Sequence, residues 1–213
     1  MPHQTFDFSK ITAHERYKLL IGIVVPRPIA LVTSVDEQGR VNAAPFSFFN
    51  VFSDNPAQII LGLQHKPGGT PKDTTRNLAR AEEFCVNMVD EALADTMNLC
   101  ATDFPPAVGE IDALGIATCP GVSVGVPWIA AAPFALECRR TVSLAFSASR
   151  EILIGEVVRV HAREGLTDPK TCYTDTNRYR PIGRLAGNSY SRQGEVFDLK
   201  RVSYAEWKAR GKR

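Results

Sequence analysis

The chain has 213 residues, of which 44% are hydrophobic, enough to bury a substantial core, and a single domain over 1–213 is expected at that length. Lys and Arg total 25 against 23 Asp and Glu, a net charge of +2, which argues against general nucleic-acid or membrane-surface binding. The five cysteines, at 85, 100, 119, 138 and 172, form no CxxC pair and read as reduced, mostly buried thiols rather than a disulfide or zinc framework.

In chain order, the N-terminus MPHQTFDFSK has no basic-then-apolar signal pattern, and no run reaches the roughly 18 apolar residues of a membrane span, so a cytoplasmic protein is expected. Thr12 and Glu15 match a capping box that opens a short helix, with Tyr17, Leu19, Leu20 and Ile21 as its apolar face before Pro26. Pro28 to Val35 reads as a strand, Asp36 to Arg40 as a polar turn and Val41 onward as a second extended run, together a β-hairpin. Pro45 donates no N–H and belongs at an edge or bulge, leaving neighbouring amides free beside Thr33, Ser34, Asn42, Ser47 and Asn50. After the turn at Asp54, Asn55 and Pro56, Ala57 to Gln64 reads as a core strand ending in the loop HKPGGTP, 65–71.

Lys72 to Leu78 opens a helix with Asp73 or Thr74 as its N-cap, and Phe84 to Val89 is a strand. Asp90 is expected to cap a further helix carrying Leu93, Met97 and Cys100, and residues 101–133 to form a long excursion with short strand pieces. Phe134 to Leu144 and Glu151 to Arg163 are the last long strands; EVFDLKRV, 195–202, reads as an edge strand and YAEWKARGKR as a frayed basic helix. About six strands, without βαβ alternation or a GxGxxG signature, favour a closed or nearly closed antiparallel barrel.

PRPIALVTSVDEQG followed by VNAAPFSFFN, then KDTTRN at 72–77 and PIGRLAGNSY at 181–190, resembles the flavin reductase-like family of FMN-binding split barrels, over about Leu19 to Lys200. The resemblance implies a mainly β fold with peripheral helices, a six-stranded antiparallel Greek-key FMN-binding split barrel. It implies FMN as cofactor, NADH or NADPH as donor of a hydride to flavin N5, and onward transfer to free flavin, oxygen, a redox protein or a companion monooxygenase. A homodimer is implied too, in keeping with the apolar 120s and 130s. An FMN electron carrier without nicotinamide activity, or a non-catalytic module holding haem or nothing, are the alternatives.

An FMN phosphate needs cations, hydroxyls and N–H donors, which a lysine-led helix start supplies through Lys72, Asp73 and Thr74. Where the family often has a second cation before that lysine this chain has Pro71, and Arg27 or Arg76 is expected to substitute. The pyrimidine edge of the ring needs amides and neutral polar groups, for which Ala44, Pro45, Phe46, Ser47, Phe48 and Asn50 are the candidates, with Thr33 and Ser34 on the facing strand. An apolar wall is expected from Phe46, Phe48, Phe49, Trp128 and Tyr190, although alternation sends Phe49 to the face opposite Phe46 and Phe48. By resemblance Asn188, Tyr190 and Arg192 approach the flavin of the same or the neighbouring subunit. His3, His14, His65 and His161 show no metal-ligand spacing and the serines no GxSxG elbow, so no metal and no catalytic side chain is expected; the flavin carries the chemistry.

Overall fold

A computed structural model describes residues 1–66, 68–105 and 108–210; Pro67 of the expected loop, Pro106 and Ala107 of the long excursion, and Gly211 to Arg213 of the basic tail lie outside the described residues. The first helix, α1 (Ala13–Ile23), begins at the expected capping box: the Thr12 hydroxyl accepts from the Glu15 N–H at 3.2 Å and the Glu15 carboxylate accepts from the Thr12 N–H at 2.7 Å. Its apolar residues are not buried within the chain, and Leu20 and Ile23 stay exposed.

The strands β1 (Ala30–Val35), β2 (Val41–Phe46), β3 (Phe49–Asp54), β4 (Ala57–Gln64), β5 (Glu83–Met88), β8 (Phe134–Ser147) and β9 (Arg150–Ala162) form one antiparallel sheet, in the order β2-β1-β5-β8-β9-β4-β3. It has seven strands where the sequence suggests six, because the run beginning at Val41 does not continue as one strand. Ser47 and Phe48 break it into β2 and β3, which lie at opposite ends of the sheet. In a flat sheet six steps of roughly 4.8 Å would hold these ends about 29 Å apart, whereas the three-residue step from Phe46 to Phe49 spans at most about 11 Å. The sheet is therefore rolled into a split barrel with its seam at Ser47 and Phe48, where the Gly62 N–H of β4 donates to the Phe48 carbonyl at 2.7 Å.

One core fills the roll and includes Val32, Phe49, Ile59, Leu61, Phe84 and Leu153. Phe84 reaches across it only because Gly155 has no side chain; a Cβ there would meet the Phe84 ring at 2.5 Å. A second core lies outside the roll, where α3 (Ala94–Leu99) and α4 (Glu110–Leu114) place Met97 and Ile111 against Leu31 and Ala43. The helix α2 (Asp73–Ala81) docks Leu78 on the barrel and is tied to β1 by Asn77 Nδ2 donating to Ser34 Oγ at 3.1 Å.

Several expectations are corrected. Asp90 does not cap a long helix: its Oδ1 accepts from the Leu93 N–H at 3.1 Å in a turn and its Oδ2 pairs with Arg163 at 3.2 Å, so the helix begins only at Ala94. Residues 195–202 form no strand, since both ends of the sheet meet at the seam, and Val196, Phe197 and Leu199 are exposed. The long excursion contains α4 and a small ribbon of β6 (Thr118–Cys119) with β7 (Trp128–Ile129). Between these strands the 122–124 segment is fastened by Glu137, fully buried on β8, whose carboxylate accepts from the N–H groups of Val122, Ser123 and Val124 at 2.8, 2.5 and 3.1 Å and contacts His161 Nε2 at 2.6 Å. The tail helix α5 (Tyr204–Ala209) is capped by Ser203 and Glu206 and exposed throughout. Of the free thiols Cys85, Cys100 and Cys138 are buried, Cys119 is half-buried and Cys172 is exposed. No described helix is long and apolar enough to cross a membrane. A short antiparallel ribbon, β10 (Ile182–Arg184) with β11 (Tyr190–Arg192), lies beside β1 through the Arg27 to Arg184 bridge.

Candidate functional site

Two clefts open along the seam and share Pro45, Phe46, Gln64 and Lys72. The first, about 560 Å³, runs between β2 and the start of α2 and is lined by Ala44, Lys66, Lys72, Asp73, Thr74 and Glu110 among others. The second, about 290 Å³, lies on the far side of Phe46 and is lined by Tyr17, Ser47, Phe48, Phe146 and Arg150. Pro45 sits on the terminal strand, so its missing N–H leaves no ladder bond unmade. Phe48 lies flat on β4 because residue 62 is glycine: a Cβ there would come within 2.8 Å of Phe48 Cβ. Gly62→Val is accordingly expected to displace Phe48 and lower unfolding free energy by about 1–3 kcal/mol, the usual range for overpacking. An unchanged urea midpoint would show that Phe48 moves aside without strain.

The start of α2 differs from the expectation in its cap. Lys72, not Asp73 or Thr74, is the N-cap, and no side chain caps the helix, so the first-turn N–H groups remain as donors at the cleft. Asp73 instead pairs with Arg76. The Thr74 hydroxyl is buried and donates to Asn42 Oδ1 at 2.8 Å, while Asn42 Nδ2 donates to Glu110 Oε2 at 3.3 Å; Thr74 is left with its N–H for a ligand. Glu110 also accepts from the Ala43 N–H at 3.0 Å, and burial pushes its carboxyl above the ordinary range.

The stand-in cations proposed from sequence are both committed elsewhere. The Arg27 guanidinium donates to the carbonyls of Ile21, Val24 and Leu185 at 2.7, 2.8 and 3.0 Å and reaches Ser47 Oγ at 3.5 Å, tying α1 and the β10–β11 ribbon to the seam. Arg76 is held by Asp73. Lys66 lines the first cleft with Lys72, and neither lysine has an ion-pair partner among the described residues. The two lysines flanking a Gly- and Pro-rich turn were the available signal.

Thr33 and Ser34 are fully buried, Thr33 donating to the Pro127 carbonyl at 2.7 Å and Ser34 accepting from Asn77, so they support the scaffold rather than line a cleft. Asn50 is exposed on β3, its Oδ1 accepting from the Val51 N–H at 2.8 Å, and it lines neither seam cleft. Asn188, Tyr190 and Arg192 line a third cleft of about 780 Å³, which meets the first at Ala101. There Arg184 lies 4.5 Å over the Tyr190 ring and Arg192 pairs with Glu91 at 3.5 Å. Of the expected aromatic wall, Phe46 and Phe48 line the clefts, Phe49 is in the core, and Trp128 is elsewhere, stacked 4.7 Å from His161.

Two lysines, an uncapped helix start and a terminal strand bearing Pro45 and Phe46 bring anion-binding groups and an apolar wall to one cleft. Residues 23–183 match the model of the flavin reductase like domain, and the chain belongs to that family. It is similar to the 2-nitrobenzoate 2-nitroreductase NbaA of Pseudomonas fluorescens, with 36% identity and a TM-score of 0.87, covering 94% of this chain and 98% of that one. It is also similar to nitrilotriacetate monooxygenase component B from Bacillus cereus, with 34% identity and a TM-score of 0.89 over 93% of this chain and 100% of that one. A protein of Deinococcus radiodurans is 40% identical over 213 residues, 97% of this chain and 93% of its own length.

Proposed function

We propose that this flavin-related oxidoreductase is a reductase that holds FMN along the seam, takes hydride from NADH or NADPH, and passes electrons to free flavin or a partner monooxygenase. The observation that carries this reading is the first cleft, in which Lys66, Lys72 and the open start of α2 face Ala44, Pro45 and Phe46 of β2 across a space of about 560 Å³. The donor set fits the cofactor: the lysines and first-turn N–H groups of α2 match a phosphate. Bound there, the isoalloxazine would supply an N5 that accepts hydride from nicotinamide C4, a step that asks no side-chain acid or base of the protein. The role of the chain is to neutralise the phosphate, to orient the ring against Pro45 and Phe46, and to keep one face open.

The similar structure named as a monooxygenase component supports an oxygenase partner. A homodimer is supported by exposed Val142, Leu144 and Phe146 on the distal half of β8, with Phe146 on the rim of the second cleft. The apolar stretch expected at that interface is instead internal, with Val126 and Ile129 buried in the chain's own cores. Purified protein is expected to be yellow, or to become so with FMN, and to bleach anaerobically on adding NADH or NADPH. Bleaching only with a reduced protein partner would replace this reading with an electron carrier, and failure to take up FMN would end it.

A further inference from the structure

The first cleft holds, among its cations, one buried carboxylate to which the cofactor reading gives no task. Glu110, the first residue of α4, lies on the wall shared with Thr74. Its Oε2 accepts from the Ala43 N–H at 3.0 Å and from Asn42 Nδ2 at 3.3 Å, and Asn42 Oδ1 accepts from the Thr74 hydroxyl at 2.8 Å. Two hydrogen bonds therefore link the carboxylate to the helix turn read as the phosphate site. No lysine, arginine or histidine among the described residues forms an ion pair with it.

The charged groups around Glu110 come from four segments. On α2, Asp73 adds to the upward push that burial gives the Glu110 carboxyl and is itself held by Arg76, while its neighbour Lys72 lies on the cleft wall. Asp36 and Arg40, from the turn between β1 and β2, pair with each other at 2.7 Å beside a small adjoining recess. After β4 come His65, turned to Glu151 at 3.3 Å, and Lys66. After α3 come Asp103 and Cys100, whose thiol is pushed up to about 12 by burial and then by Glu110. Asp73 stands next to Thr74 in the first turn, and its charge already reaches Glu110. A phosphate on the N–H groups of that turn brings further negative charge to the same place and makes an ionised Glu110 costlier still.

We propose that Glu110 is the proton acceptor of the phosphate pocket: as a phosphorylated ligand enters, a proton from solvent adds to its carboxylate and leaves a neutral carboxyl beside the bound anion. No other bond forms or breaks. The assignment rests on the flavin reading for the identity of the ligand. Because the carboxyl lies higher in the liganded protein than in the free one, capture strengthens as pH falls and weakens as pH rises through the liganded value.

FMN affinity of the wild type and of Glu110→Gln, measured by flavin fluorescence between about pH 5 and pH 8.5, tests it. The glutamine keeps an oxygen for the Ala43 N–H and removes the charge. It is expected to bind FMN about tenfold more tightly than wild type at the alkaline end and equally at the acid end, tenfold corresponding to a carboxyl raised by about one pH unit on ligand entry. The phosphate's own titration, at roughly pH 6, is common to both proteins and cancels in the ratio. A merely structural Glu110 gives the opposite sign, weaker binding by the variant at every pH, and that result or a pH-independent ratio overturns the proposal. Calorimetry of the wild type at about pH 8, in two buffers of different ionisation enthalpy, needs no variant: proton uptake with FMN is expected, and its absence overturns the proposal as well. Protein that takes up no FMN refutes the flavin reading instead, and the same ratio measured with inorganic phosphate then decides whether Glu110 answers to a bound anion.

Discussion

Lys72→Ala is expected to weaken FMN retention by about 1.5–3 kcal/mol, roughly 10- to 150-fold, the range for losing one charge-assisted hydrogen bond. The experiment is clean because the side chain has no structural duty. Lys72 caps α2 through its backbone geometry, makes no side-chain cap bond and has no ion-pair partner among the described residues, so apo-protein stability is expected to hold. Asn77 and Leu78 keep the helix docked in its absence. Lys72 is exposed, so the loss is expected to shrink as salt screens the wild-type contact. Equilibrium titration of the apo-protein with FMN reads the effect; unchanged affinity at low salt would remove Lys72 from the phosphate site.

Glu137→Ala is expected to lower the free energy of unfolding by about 1–3 kcal/mol or more, the cost of leaving buried donors without their acceptor. The substitution strands the Val122, Ser123 and Val124 N–H groups and removes the partner of His161, so the loop that carries Trp128 over the barrel loosens as well. Urea unfolding followed by tryptophan fluorescence checks it, and a loss under about 1 kcal/mol would show that water replaces the carboxylate without penalty. The pH dependence has a definite sign. Burial alone pushes the Glu137 carboxyl up, but hydrogen bonds from His161, Val122 and Ser123 outweigh it and hold the group below its ordinary 4.5. A carboxyl lowered on folding stabilises the fold above its unfolded value, and that contribution fades as pH falls through the folded one. In acid the wild type is therefore expected to approach the alanine variant.

Local signals survived into the structure. The capping boxes at Thr12 and Ser203, the hairpin from β1 to β2, and the lysine at the start of α2 each depend on residues within a few positions of one another. What the sequence could not show was facing. β1 is buried on both sides, by the barrel interior and by the outer core, so Thr33 and Ser34 carry no alternation to mark them as internal. Arg27 looked like a free cation because its acceptors are backbone carbonyls, one of them 158 positions away. Lys66 and Arg150 reach the seam through a turn and through the pairing of β4 with β9, neither of which leaves a spacing to read.

That last pairing has a kinetic consequence. The hairpins β1–β2, β3–β4 and β8–β9 join neighbours in sequence, but Gln58 must find Glu156 before the roll can shut. Long-range registry of this kind is entropically expensive and is assembled late. The cleft between Phe48 and Arg150 has no partial form on the way, so ligand capture during refolding reports the final closure of the chain and not its earlier collapse.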